Sequence, residues 1–230
     1  TAKGLLASSM GSAGQRCMAA SVAVGVADVD PIIDQLVEEA KNYKLGVDMG
    51  AIVSKAALDR ITNYIDEAEK MGAKILIDGR NSTPPEGYED GYWLGATILD
   101  WVDPDWPSAK EEIFGPVLSI IRTSNLEDAM KIENGNQYGN AAAVFTTSGQ
   151  VAKTISESAS AGMIAGAGAE ITITRKIREY SNSAMVISRY VGGVFIDRSL
   201  VGQKDSQKPF RPVPKDKQKW AMTLLGKYIF

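Results

Sequence analysis

The 230-residue chain contains no histidine and only one cysteine, Cys17. Without histidine, the chain cannot contain a Ser-His or Cys-His catalytic pair or a zinc site with a histidine ligand. A single cysteine forms neither an internal disulfide nor a thiolate cluster, so we expect no metal site. Any thiol chemistry at Cys17 therefore requires backbone dipoles, a cation, a carboxylate or groups from another segment.

Long apolar runs and an excess of basic charge are also lacking. No apolar stretch approaches the roughly 20 residues that span a bilayer, and the net charge of −3 provides no basic field for nucleic acid. The start of the chain does not resemble a signal peptide, and it lacks an initiating methionine, which suggests a fragment or a processed product. We expect no membrane or nucleic-acid partner, and a reducing location: the cytoplasm, or the mitochondrial matrix in a eukaryote.

Helical and strand patterns alternate along residues 1–164, which predicts an α/β fold with an open, largely parallel sheet flanked by helices. Predicted strands cover residues 22–26, 74–79, 94–99, 117–121 and 141–146. Predicted helices cover residues 5–10 and 148–158. A further helix is expected to have Asp30 as its N-cap and Pro31 at its first helical position. Two more are expected after a Ser54 cap and after a cap at Ser124 or Asn125. Residues 17–20 are expected to start a further element, and Gly72 to end the helix that Ser54 caps.

The composition changes after Ile164, which predicts a domain boundary between residues 164 and 165. Residues 165–169 are a low-complexity Ala/Gly stretch that we expect to be flexible. Beyond it, the patterns predict a β-rich part (170–201), a polar part with prolines (202–214) and an amphipathic helix (215–230), all within a basic tail. We therefore expect a domain at 1–164 and a divergent C-terminal appendage at 165–230.

Three short segments of the chain resemble one family in the right order. Residues 11–19 (GSAGQRCMA) resemble the nucleophile segment of the aldehyde dehydrogenase superfamily, residues 111–117 (EEIFGPV) its cofactor-contacting turn, and residues 136–140 (NQYGN) with the strand after them its later turn-strand segment. Within the superfamily, residues 14–19 are most similar to the methylmalonate-semialdehyde branch. The resemblance implies that residues 1–164 form an aldehyde dehydrogenase-like catalytic domain.

The resemblance also implies roles for particular residues. Cys17 would be the nucleophile, which forms a thiohemiacetal with a small aldehyde, (methyl)malonate semialdehyde, and then a thioester after hydride transfer to NAD. Glu112 would bind the ribose hydroxyls of the nicotinamide nucleotide, and Phe114 would pack near the nicotinamide ring. Coenzyme A would be the co-substrate that accepts the acyl group, and a homo-oligomer, a dimer or tetramer, is implied. Arg16 would either favour the thiolate or act as a structural partner.

Other interpretations stay open from the sequence. Alone, Cys17 would be a packing residue, Glu112 a solvated turn residue and Phe114 a core residue. The superfamily's N-terminal cofactor domain is expected to be absent, so a further segment or companion chain would have to supply it and the chain alone would be inactive. In the tail, residues 189–195 (RYVGGVF), with residues 209–215 (PFRPVPK) and Gln218, resemble a short segment of large bacterial zinc-dependent metalloproteases of the gluzincin type. The alternative function is a non-catalytic or chimeric chain that acts as a binding or structural subunit.

Overall fold

The computed structural model describes residues 1–167, which form helices and strands in alternation. The predicted helix at 215–230 and the β-rich part at 170–201 lie outside the described residues. The elements, in chain order, are α1 (Ala2–Met10), a 3₁₀ turn (Gly11–Gly14), β1 (Val22–Val26), α2 (Asp30–Lys41), α3 (Lys55–Met71), β2 (Lys74–Ile77), β3 (Thr97–Asp100), α4 (Pro107–Lys110), β4 (Val117–Thr123), α5 (Leu126–Gly135), β5 (Ala141–Phe145), α6 (Gly149–Ser158) and β6 (Met163–Ala167).

The main sheet has four strands in the order β1-β4-β3-β2. β4 pairs in parallel with β1 and with β3, whereas β2 is antiparallel to β3 at one edge. A second sheet consists of β5 and β6, which are parallel. The predicted α/β fold with a largely parallel sheet and flanking helices is therefore confirmed.

The core lies around β4, the strand that pairs on both sides. The first five residues of β4 are buried, as expected for a parallel strand whose two faces are both covered. Two helices pack against the sheet. Leu6 and Met10 of α1 are buried there. The apolar stripe of α3 is also buried and consists of Ile61, Ile65 and Ala68. This packing places the C-terminal end of α1 close to the loop that precedes β4.

Several helix boundaries follow the predicted capping chemistry. The Ser54 side chain accepts a hydrogen bond from the backbone of Ala57, Gly72 ends α3 in a left-handed conformation, and Asn125 caps α5. The predicted cap at Asp30 is wrong by one residue. Asp30 is already helical with Val29 as the N-cap, and its N–H donates to the Asp28 side chain.

Two predictions about segments need correction. Residues 17–20 start no helix or strand but form a turn. Residues 165–167, expected to be flexible, belong to β6, because their backbone pairs with β5. β6 therefore crosses the expected domain boundary at 164/165, which itself stays a prediction. Within residues 1–167, no helix is both long and apolar enough to span a bilayer.

Candidate active site

A left-handed turn follows α1 and carries the chain towards Cys17. Ser12, Ala13 and Gly14 have φ angles of 53°, 53° and 67°. This region disfavours residues with a Cβ by about 1–2 kcal/mol each. Such strain persists only where the surroundings fix it, and it is concentrated at functional sites.

Arg16 helps to hold this strained turn in place. Its guanidinium donates hydrogen bonds to the carbonyl oxygens of Gly11 (Nε, 2.8 Å) and Ser8 (Nη2, 2.7 Å), at the C-terminal end of α1. A cation there satisfies carbonyls that the helix leaves unpaired and complements the helix dipole. The N–H of Ala20 donates to the backbone oxygen of Ser8, 3.3 Å away, which closes the loop. These bonds support the structural interpretation of Arg16.

Gln15 ties the same loop to the segment after α2. Its Oε1 accepts from the N–H of Val53 at 2.8 Å, and its Nε2 donates to the carbonyl of Ala51 at 3.1 Å. The side-chain amide of Gln15 thus pairs with one main-chain N–H and one main-chain carbonyl of residues 51–53. The sequence pattern predicted no role for Gln15, and its amide side chain beside Arg16 is the one signal that could have indicated it.

Cys17 lies at the exposed surface of this loop. Its carbonyl accepts a 2.6 Å hydrogen bond from Nδ2 of Asn140, and the carbonyl of Arg16 accepts from the N–H of Ala19 at 3.0 Å. Both peptides that flank Cys17 are therefore bonded. Among the hydrogen bonds within residues 1–167, none uses the N–H of Cys17 as donor, so this group can serve an incoming oxygen.

The second predicted segment meets the first through two glycines. A Cβ on Gly14 would lie 2.0 Å from the carbonyl oxygen of Gly115, and a Cβ on Gly115 would lie 2.6 Å from the side chain of Ile61. No side chain fits at either place, so the main chains of the two segments pack directly together. The loop of Cys17 and the turn of Glu112 and Phe114 therefore occupy one end of the sheet.

Glu112 and Phe114 lie in a turn that α3 holds in place. Arg60 of α3 donates to the carbonyls of Glu112 (3.3 Å) and Ile113 (2.7 Å). The side chain of Glu112 is exposed, and no hydrogen bond or ion pair within residues 1–167 engages its carboxylate. Phe114 is half-buried with a φ of 53°, a strained backbone conformation for a bulky residue.

A hydrogen bond between Tyr64 and Glu111 borders this turn. The hydroxyl of Tyr64 donates to a carboxylate oxygen of Glu111 at 2.5 Å. This hydrogen bond, together with burial, raises the pKa of Tyr64 to about 12. Tyr64 therefore stays a neutral donor across the physiological range, and it anchors the residue before Glu112 to α3.

The third predicted segment bonds to the first and to the residues just before the second. Asn136 and Gln137 donate side-chain hydrogen bonds to the carbonyls of Ala109 (3.2 Å) and Lys110 (3.4 Å), just before the turn of Glu112. Asn140, at the other end of the segment, reaches the carbonyl of Cys17. Three segments that are far apart in the sequence thus form one cluster.

The structure brings the predicted site residues to one region without direct bonds between them. Within the described part of the chain, no hydrogen bond links Cys17 to Glu112. Their segments meet at Gly14 and Gly115 instead. No local sequence pattern indicated that the side chains of Gln15, Arg60 and Asn140 hold the main chain of the site.

The chain is thus an α/β protein in which a cysteine loop packs on a Glu-Ile-Phe-Gly turn. The model of the aldehyde dehydrogenase family matches residues 1–172. The chain therefore belongs to the aldehyde dehydrogenase family, as the resemblance predicted.

Proteins of the methylmalonate-semialdehyde group are among its relatives. A mitochondrial protein of Drosophila melanogaster, assigned to the acylating methylmalonate-semialdehyde/malonate-semialdehyde dehydrogenases, is 46% identical over 166 residues, which cover 70% of this chain and 32% of the relative. The malonate-semialdehyde dehydrogenase of Pseudomonas aeruginosa is 40% identical over 168 residues (70% and 34%). A crystal structure from Sinorhizobium meliloti 1021, assigned to the methylmalonate-semialdehyde dehydrogenases and complexed with NAD, matches with a TM-score of 0.69 and 39% identity, over 72% of this chain and 35% of that one.

These relatives are longer than this chain, and they do not account for its C-terminal part. The chain spans about a third of the length of the curated relatives that it matches. A second family model, described as Met-zincin, matches residues 167–230. The expected likeness of the tail to metalloproteases is thus confirmed at the level of the broad class, although the description differs from the gluzincin type that we expected.

Proposed function

We propose that this chain carries the catalytic segment of an NAD-dependent, coenzyme A-acylating aldehyde dehydrogenase that acts on methylmalonate or malonate semialdehyde. Cys17 is the nucleophile, and Glu112 and Phe114 face the nicotinamide nucleotide. The relatives support the substrate class, because the Drosophila and Pseudomonas proteins carry semialdehyde dehydrogenase names. Coenzyme A as the acyl acceptor rests on the acylating description of the Drosophila relative.

The convergence of two distant segments on the loop of Cys17 carries this proposal. Asn140 bonds to Cys17 across a separation of 123 positions, and Gly14 packs against Gly115 with no room for a side chain. A packing cysteine needs neither exposure nor two bonded flanking peptides. An exposed thiol on a strained, heavily bonded loop is the arrangement that a positioned nucleophile requires.

Cys17 would react in three steps. Its thiolate adds to the aldehyde carbon, and the oxygen that gains the negative charge would accept a hydrogen bond from the N–H of Cys17, which donates to no group within residues 1–167. The carbon of the resulting thiohemiacetal loses a hydride, and its C–O bond regains double-bond character, which leaves a thioester on Cys17. The thiolate of coenzyme A then attacks that thioester, forms the acyl-CoA and restores the Cys17 thiolate.

The turn of Glu112 fits one end of a nicotinamide nucleotide. NAD, when bound, accepts the hydride. The exposed Glu112 carboxylate has no partner within residues 1–167, so both of its oxygens can accept hydrogen bonds from a ribose diol. Arg60 fixes the backbone at Glu112, which limits the directions the carboxylate can take. Phe114 adds an apolar ring in the same strained turn.

The remaining proposals concern assembly and location. We propose that a cofactor domain, from a further segment or a companion chain, completes the site, and that the enzyme is a homo-oligomer, a dimer or tetramer. The location we propose is the cytoplasm, or the mitochondrial matrix in a eukaryote, since the Drosophila relative is described as mitochondrial.

The reaction of Cys17 with iodoacetamide tests the nucleophile. Because Cys17 is the only cysteine in the chain, every alkylated molecule reports on this one site. We expect the folded chain to react much faster than the same chain unfolded in urea, which serves as its own control for an unactivated thiol. A Cys17→Ala variant gives the background rate. Equal rates for the folded and unfolded chains would contradict the proposal.

A further inference from the structure

We propose that Asn140 is a positioning residue for Cys17: its side-chain amide fixes the main chain at the nucleophile. The inference rests on the proposed function, because it assigns Cys17 the reactive role. The observation is the 2.6 Å hydrogen bond from Nδ2 of Asn140 to the carbonyl oxygen of Cys17. Neither residue is buried, so water competes for both groups and only a well-placed donor keeps the bond.

The bond acts at the peptide that joins Cys17 to Met18, through the carbonyl oxygen of Cys17. The carbonyl before Cys17 is held locally, because it accepts from the N–H of Ala19. The carbonyl of Cys17 itself receives its bond from Asn140. Together the two bonds restrict rotation on both sides of the Cys17 Cα, and therefore the directions of its N–H and its Cβ. Fixing these dihedrals in advance removes an entropic cost from the reaction.

Asn140 is presented from a main chain that is itself fixed. It directly precedes β5, which pairs with β6. One residue earlier, the carbonyl of Gly139 accepts a 2.7 Å bond from the N–H of Gly162. At the start of the same turn, Asn136 bonds to the carbonyl of Ala109. The turn is therefore anchored on both sides of Asn140.

The chemistry of the side chain matters as much as its place. An amide is a neutral donor, so it bonds the carbonyl without placing a charge beside the thiolate. A carboxylate at the same place would repel the carbonyl oxygen. It would also stand within about 6 Å of the sulfur, by covalent geometry, and disfavour the thiolate.

The single cysteine makes the bond directly measurable by NMR. Labelling the full 230-residue chain with [1-¹³C]cysteine gives one protein carbonyl signal, that of Cys17. Loss of a hydrogen bond moves a carbonyl carbon upfield, so Asn140→Ala should shift this signal upfield. Asn134→Ala is the matched control, since Asn134 bonds to Ser158 and Ser160 near the same turn but not to Cys17. Equal signals for wild type and Asn140→Ala would overturn the proposal.

The effect on the thiol is tested by the pH dependence of its alkylation. Asn140→Asp should raise the midpoint of the pH–rate curve by roughly one unit, because of its negative charge, whereas Asn134→Asp should leave it in place. At high pH, where the thiol is ionised, Asn140→Ala should lower the alkylation rate about threefold or more. A change of this size corresponds to the free energy that one hydrogen bond contributes. Asn134→Ala should keep the wild-type rate.

The outcomes separate this inference from the proposed function. If wild type reacts no faster folded than unfolded, the proposed function fails, and the carbonyl signal still decides whether the bond exists. If wild type is fast and Asn140→Ala matches it in rate and midpoint, the nucleophile stands and the positioning role is refuted. Circular dichroism of each variant identifies any that does not fold, and for such a variant the conservative Asn140→Ser change takes its place.

Discussion

Replacement of Gly14 by alanine tests the packing of the cysteine loop on the cofactor turn. Gly14 has a φ of 67°, and a Cβ there would lie 2.0 Å from the oxygen and 2.4 Å from the carbon of the Gly115 carbonyl. The obstacle is main chain, which cannot rotate away as a side chain can. Gly14→Ala must therefore move one of the two segments.

The expected cost combines two contributions. The left-handed backbone disfavours alanine by about 1–2 kcal/mol. Forcing a methyl group into a filled site adds about 1–3 kcal/mol. We therefore expect Gly14→Ala to lower the free energy of unfolding by about 2–5 kcal/mol.

Gly87 separates the two contributions. Its φ is also left-handed, at 80°, but a Cβ there would meet nothing within 4 Å. Gly87→Ala should therefore cost only the conformational part, about 1–2 kcal/mol. Urea unfolding followed by tryptophan fluorescence measures both variants. If Gly14→Ala destabilises the chain no more than Gly87→Ala, the direct packing of Gly14 on Gly115 is refuted.

Three further predictions concern the framework of the site. Asp100→Asn should lower the free energy of unfolding by about 3 kcal/mol in urea titrations, because the buried carboxylate holds Arg122 through two bonds, and an unchanged stability would contradict this. Ser54→Ala should cost about 1 kcal/mol in the same assay through loss of the N-cap of α3, and a change within error would show that the cap contributes nothing. Tyr64 should ionise near pH 12 in a titration of phenolate absorbance, and Glu111→Gln should bring its pKa back towards 10. Because the folded-state pKa is raised, the stabilisation by Tyr64 is complete below pH 10 and lost between pH 10 and about 12, whereas Glu111→Gln should lose this pH dependence.

Local sequence signals predicted the helix ends well. Ser54 and Gly72 bound α3 as expected, because a hydroxyl cap and a glycine stop act within one turn of the chain. Asp30 was misplaced by one residue, since Asp28 offers a competing side-chain acceptor just before it. Boundaries that depend on such neighbouring polar residues are the least certain part of a sequence-based assignment.

The long-range part of the site could not be predicted from the residues alone. The small residues after Cys17 are compatible with a helix, yet they form a turn, because Arg16 and Ala20 bond back to the end of α1. The bond from Asn140 to Cys17 depends on how two distant segments pack, which no local pattern encodes. The family resemblance predicted that these segments belong together but not which atoms join them.

Acyl transfer to Cys17 tests the central claim most directly. The full chain is incubated with propionyl-CoA, and intact-mass spectrometry detects a thioester formed when the Cys17 thiolate displaces the coenzyme A thiolate. This reaction requires no hydride transfer and therefore isolates the nucleophile. We predict hydroxylamine-sensitive acylation of Cys17 in the folded chain, faster than in the urea-unfolded chain and absent in Cys17→Ala. Acylation no faster in the folded chain than in the unfolded one would contradict the account.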